Sequence, residues 1–136
     1  LGLLHMTSDT SKISNMSSQL VSFVVPIYNE EENVALLYRE LTEVVSNGKL
    51  NAEFVFVDDG SSDATLLNLK DASRNDKRVR IVELRRNFGQ TAAMSAGFDY
   101  AEGSVVVTLD GDLQNDPHEV PRMIQKLNEG YDIVCS

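Results

Sequence analysis

The chain has 136 residues, 42% hydrophobic and 24% charged, with a formal net charge of -9. That length suits one domain around one core, and no run approaches the roughly 18 apolar residues of a membrane-spanning helix. The acidic balance argues against a generic nucleic-acid binder, which carries a basic patch, although a divalent metal can still bring phosphate ligands to carboxylates.

Leu1 to Gln19 is rich in Ser, Thr, Asn and Asp and lacks periodicity, so it reads as a disordered leader ahead of a folded unit over 20–136. Val21 to Ile27 is an apolar, β-branched run that predicts a buried strand. Asn29 is the expected N-cap of the next helix, with Glu32 at its third position. Val34, Leu37, Leu41 and Val44 form that helix's stripe, and Asn47-Gly48 supplies its stop. Phe54 to Val57 predicts a second strand, Asp58 to Asp63 a polar turn, and Ala64 to Ser73 a helix. A third strand follows over Val79 to Leu84, then a helix over Gln90 to Ala101 and a fourth strand over Ser104 to Leu109. Asp116-Pro117 opens a further helix, and Ile133 to Cys135 begins a fifth strand. Cys135, the single cysteine, rules out an internal disulfide, fits a reducing compartment and reads as a small core residue.

Strands apolar throughout, alternating with helices, imply a doubly wound, mainly parallel α/β sheet with helices on both faces. Ligands then bind beyond the carboxyl ends of the strands, where strand order switches. With the four predicted strands ordered 3-2-1-4, Glu30, Asp58, Asp59, Asp110 and Asp112 end up on one crevice. Packed carboxylates repel, and burial sharpens the repulsion, so a hard divalent cation is the expected partner. Asp110 and Asp112 flank Gly111 and can reach one ion, with Gln114 offering a third oxygen; so open a site suits Mg²⁺ or Mn²⁺ completed by water and substrate phosphates. Each block also has a plainer reading, as turn chemistry or as acids in a first helical turn. A Rossmann dehydrogenase is disfavoured, since no G-x-G-x-x-G follows the first strand. Receiver domains and haloacid-dehalogenase phosphatases place their acids after other strands.

Val24-Val25-Pro26-Ile27-Tyr28-Asn29-Glu30, Val57-Asp58-Asp59-Gly60-Ser61-Ser62-Asp63, Leu84-Arg85-Arg86-Asn87-Phe88-Gly89-Gln90 and Leu109-Asp110-Gly111-Asp112-Leu113-Gln114 together resemble the blocks of family-2 glycosyltransferases with the GT-A fold. The likeness runs from about Ser22 to Ser136 and points to the branch of dolichol-phosphate mannosyltransferases and polyprenyl-phosphate sugar transferases. It implies inverting transfer of a sugar from UDP or GDP to an acceptor such as a polyprenyl phosphate. Pro26, Tyr28 and Glu30 would shape the nucleoside pocket, Asp58 would accept a hydrogen bond from the base, and Asp59 would line the same pocket. Asp110, Asp112 and Gln114 would hold the metal against the diphosphate, and Gly111 would lie with Asp110 and Asp112 against the nucleotide sugar. For Arg85 and Arg86 two readings stay open, a phosphate contact or a surface ion pair. The resemblance also implies that the family's acceptor site, basic diphosphate contacts and any membrane element lie past Ser136, in an enzyme of the cytoplasm or the cytoplasmic face of a membrane. The alternatives are a non-catalytic nucleotide-binding module or an inactive fragment, and, from another class, a metal-dependent phosphatase-like domain.

Overall fold

A computed structural model of the chain describes residues 3–6 and 19–109. The chain runs β1 (Leu3–Met6), β2 (Leu20–Ile27), α1 (Val34–Gly48), β3 (Asn51–Asp58), α2 (Thr65–Asn75), β4 (Val79–Glu83), α3 (Gln90–Tyr100) and β5 (Val105–Thr108). The sheet order is β1-β5-β2-β3-β4. β5, β2, β3 and β4 are parallel neighbours, which is the expected 3-2-1-4 order of the predicted strands. The helix and strand expected after Asp116 lie outside the described residues.

Alternation along β2 and β3 sorts their side chains between two layers. Phe23, Val25, Ile27, Phe54 and Phe56 face one side, where they meet Val34, Leu37, Leu41 and Val44 of α1 and Leu69 of α2. Val24, Val55 and Val57 face the other, against Ala93 and Ala96 of α3. The α1 residues recur at helical spacing, so one stripe of the helix is buried. α3 lies close to the sheet because Gly97 has no side chain: a Cβ there would stand 2.4 Å from Val24 Cγ1 and 3.0 Å from Val57 Cγ2.

Three local readings are corrected. Within the supposed leader, Leu3–Met6 pairs antiparallel with β5, Leu3 opposite Thr108 and Met6 opposite Val105. Ladder bonds use backbone groups, so an open sheet edge can recruit a segment that carries no side-chain periodicity. α1 starts at Val34, and Asn33 stands at its N-cap without a side-chain cap bond, because Asn29 is engaged elsewhere. The same helix ends one residue later than the Asn-Gly signal. Lys49, not Gly48, takes the left-handed conformation at φ 51°, with its N–H on Ser46 O and the Leu50 N–H on Val45 O.

Candidate functional site

Register places Ile27, Asp58 and Glu83 side by side at the carboxyl ends of β2, β3 and β4. On the β5 side, the Leu109 N–H donates to Val24 O at 3.1 Å. Pro26 points its backbone to the same side as Val24, two residues earlier, and has no N–H to extend that ladder. Among the described residues the pairing of β2 with β5 runs to Val24 opposite Thr108. Asp110, Gly111, Asp112 and Gln114 themselves lie outside the described residues.

The turns after β2 and β3 are braced against each other. Asn29 sits in the left-handed region at φ 50°, which Asn tolerates better than most residues. Its N–H donates to Ser61 Oγ at 2.9 Å, and its Oδ1 accepts the Ser62 N–H at 2.8 Å. The Glu30 N–H donates to the buried Thr65 hydroxyl at 2.9 Å, and Glu31 Oε2 accepts the Ala64 N–H at 2.9 Å. Asp63 accepts from the Thr65 hydroxyl and N–H and, at 3.3 Å, from the Glu31 N–H. Burial alone would raise the Asp63 carboxyl, and these bonds outweigh it and hold it below the ordinary range. Asn29 and Ser61 were missed as braces. The one signal for Asn29 is an Asn two residues past a strand end, which fits a turn as well as a helix cap.

The acids differ in what they can still bind. Glu30 is half-buried, and its Oε2 accepts from Asn33 Nδ2 at 2.7 Å. Asp58 and Asp59 are only 2% and 3% exposed. Asp58 Oδ1 accepts the Ser61 N–H at 3.2 Å, and its Oδ2 has no partner among the described residues. Asp59 is engaged at both oxygens, by the N–H groups of Phe88 at 2.8 Å and Gly89 at 3.0 Å. Among the described residues no three His, Cys, Asp or Glu side chains stand together as metal ligands. Backbone and side-chain donors thus answer part of the repulsion expected among these acids.

Arg85 and Arg86 are exposed just past β4. The Arg86 guanidinium lies 4.1 Å over the Phe88 ring, itself 49% exposed, and the Tyr28 ring is 46% exposed. Neither arginine forms an ion pair among the described residues, where the salt bridges belong to Arg74, Arg78 and Arg80.

A parallel α/β sheet covered on both faces, with its polar turns gathered at the carboxyl ends of the central strands, is the architecture of the GT-A glycosyltransferase fold. The model of Glycosyl transferase family 2 matches residues 22–136, and the chain belongs to that family. It is 50% identical over 108 residues to the dodecaprenyl-phosphate galacturonate synthase of Rhizobium johnstonii, covering 79% of this chain and 32% of that protein. It is 47% identical over 118 residues to the undecaprenyl-phosphate 4-deoxy-4-formamido-L-arabinose transferase of Edwardsiella ictaluri, covering 85% and 36%. The chain thus spans about a third of the length of the curated relatives it matches. Among solved structures, the mannosyltransferase PcManGT of Pyrobaculum calidifontis, in complex with GDP-Man and Mn²⁺, shares the fold with a TM-score of 0.69 at 22% identity, over 84% of this chain and 33% of that one. TarS of S. aureus, in complex with UDP-GlcNAc, superposes with a TM-score of 0.65 at 25% identity, over 80% of this chain and 31% of that one.

Proposed function

We propose that residues 20–136 are the donor-binding part of an inverting, metal-dependent glycosyltransferase that moves a sugar from UDP or GDP to a polyprenyl phosphate. The observation that carries this reading is Asp58. A buried carboxylate with one oxygen satisfied and the other without a partner among the described residues calls for a donor, and an N–H on the edge of a uracil or guanine base would satisfy it. Pro26 and the exposed Tyr28 ring flank the same strand ends, and Glu30 sits on the turn that Asn29 ties down, so base and ribose would meet pre-braced groups. Asp110, Asp112 and Gln114 come just after β5 in the sequence and would hold Mg²⁺ or Mn²⁺, which would neutralise charge on the departing diphosphate as a Lewis acid, with Gly111 beside the nucleotide sugar. Arg85 and Arg86 would meet phosphate oxygens, a contact that suits a guanidinium. A phosphate acceptor is already anionic, so transfer to it needs no strong general base. Relatives named for polyprenyl-phosphate sugar transfer support that acceptor, as neighbours holding nucleotide sugars, one with Mn²⁺, support the donor and the metal. A lipid acceptor puts the reaction at the cytoplasmic face of a membrane.

The test is calorimetric titration with UDP and GDP, each with and without Mn²⁺, on the wild-type chain and Asp112→Ala. Metal-dependent binding of one nucleotide, weakened about tenfold or more by the substitution, is expected. Failure of a folded wild-type chain to bind either nucleotide would sink the donor-site reading.

A further inference from the structure

Asp59 differs from its neighbour in one respect: both of its oxygens are committed to the loop between β4 and α3. Phe88 and Gly89 each point an N–H at it, and the carboxylate is 3% exposed. Two further contacts tie the same loop to the same turn. The Leu84 N–H donates to Asp58 O at 2.9 Å. Gly60, at φ +72°, lies so close to the loop that a Cβ would stand 2.2 Å from the Arg86 carbonyl carbon and 2.4 Å from the Asn87 nitrogen. The turn after β3 thus holds the loop at its start, its middle and its end. The loop in turn carries exposed Arg85 and Arg86, with Arg86 stacked on Phe88, the residue whose amide Asp59 binds.

We infer that Asp59 is a positioning residue: with Gly60 it fixes the 84–89 loop so that Arg85 and Arg86 stand at the carboxyl ends of the strands as the phosphate-reading arm of the site, while Asp58 reads the base. This assigns Asp59 a different task from lining the nucleoside pocket, and its ligand half rests on the donor-site reading above. Two neighbouring acids then serve opposite ends of one ligand. Loss of Asp58 touches base recognition, whereas loss of Asp59 touches every diphosphate alike, whatever base it carries.

The experiment uses Asp59→Asn, which keeps the size of the side chain but turns an N–H₂ toward one of the two donors. Amide hydrogen exchange is followed in the wild type and the variant, and UDP, GDP and inorganic pyrophosphate are titrated with Mn²⁺. Exchange at Phe88 and Gly89 should quicken about tenfold or more, with the core amides of Val55 and Phe56 unchanged. Pyrophosphate and the preferred nucleotide should weaken by the same factor. Unchanged exchange at Phe88 and Gly89 overturns the proposal, as does a nucleotide loss that pyrophosphate does not share. Arg86→Gln, at an exposed side chain, gives a second route should Asp59→Asn fold poorly. It should weaken both ligands equally, and a loss confined to the nucleotide overturns the phosphate-reading role. In the double variant the two losses should be less than additive. If the wild type binds none of the three ligands, the donor-site reading falls, and the exchange measurement alone still decides whether Asp59 holds the loop.

Discussion

Glu53 is 6% exposed at the amino end of β3, an unusual place for a carboxylate. Its Oε2 accepts from Ser22 Oγ at 2.6 Å and from the Glu102 N–H at 2.7 Å, and its Oε1 accepts from Arg80 at 2.9 Å. Burial pushes the carboxyl up, but the donors from Ser22, Glu102 and Arg80 outweigh it and hold it below its ordinary range. A folded-state pKa below the unfolded one means stabilisation that is present above the unfolded value near 4.5 and lost as pH falls through the folded value. Glu53→Gln should therefore cost about 1–3 kcal/mol at pH 7, and its deficit against the wild type should shrink steadily below about pH 4.5. Asp76, held far below its usual range by Arg78, with Tyr38 also donating to it, titrates in both proteins and cancels in the difference. Urea unfolding of the pair between pH 7 and pH 3 checks this, and a deficit independent of pH would show that the charge of Glu53 contributes nothing.

At the scale of elements, Gly97 on α3 sets two effects against each other. Replacing a mid-helix glycine by alanine gains about 1 kcal/mol of helix propensity. Here the new methyl would meet Val24 Cγ1 of β2 at 2.4 Å, in the layer where α3 packs on the sheet, and overpacking costs about 1–3 kcal/mol. Packing wins if the helix cannot lift, and α3 is tethered at its end by Arg80 bonded to Tyr100 O and by Gly103 bonded to Ser22 Oγ. Gly97→Ala should lower stability, and Val24→Ala in the same chain should relieve part of that loss, so the two changes together cost less than their sum. A fully additive pair in thermal unfolding would mean that helix and sheet simply move apart. The pattern of unbroken apolar runs separated by helical stretches made the strands, and through them the α/β fold, legible in the sequence, because a sheet buried on both faces leaves few polar positions. It could not reveal Gly97's contact, the tether through Glu53, or Asn29's role as a brace. Each depends on residues far apart in sequence, such as Ser22 with Gly103 and Asn29 with Ser62. The acidic turns were legible as residues at strand ends, but not the division between Asp58 and Asp59, which is set by where the 84–89 loop passes.

Over the whole molecule the two ends of the sheet do different things. The amino ends hold the closed network of Ser22, Glu53, Arg80 and Gly103, in which each polar group named is bonded to the protein. Among the described residues, the carboxyl ends hold Asp58 with one oxygen unpartnered, exposed Tyr28 and Phe88, and two arginines without ion pairs. Stability and binding should then separate along the strands. From Ser22 to Ile27 is five residues of β2, about 16 Å of extended chain, far enough for effects to be independent. Ser22→Ala removes a donor from Glu53 and leaves the Gly103 N–H unpaired, which should cost about 1–3 kcal/mol while nucleotide affinity per folded molecule stays within about twofold. Asp58→Asn loses only the charge in a bond to Ser61, so its stability should change little, while a charge-assisted bond to a base is worth about tenfold or more in affinity. Measuring urea midpoints and nucleotide titrations on both variants tests the separation. If Ser22→Ala weakened binding as much as Asp58→Asn, the sheet would be transmitting strain from one end to the other, and the carboxyl-end turns could no longer be treated as a site resting on a passive frame.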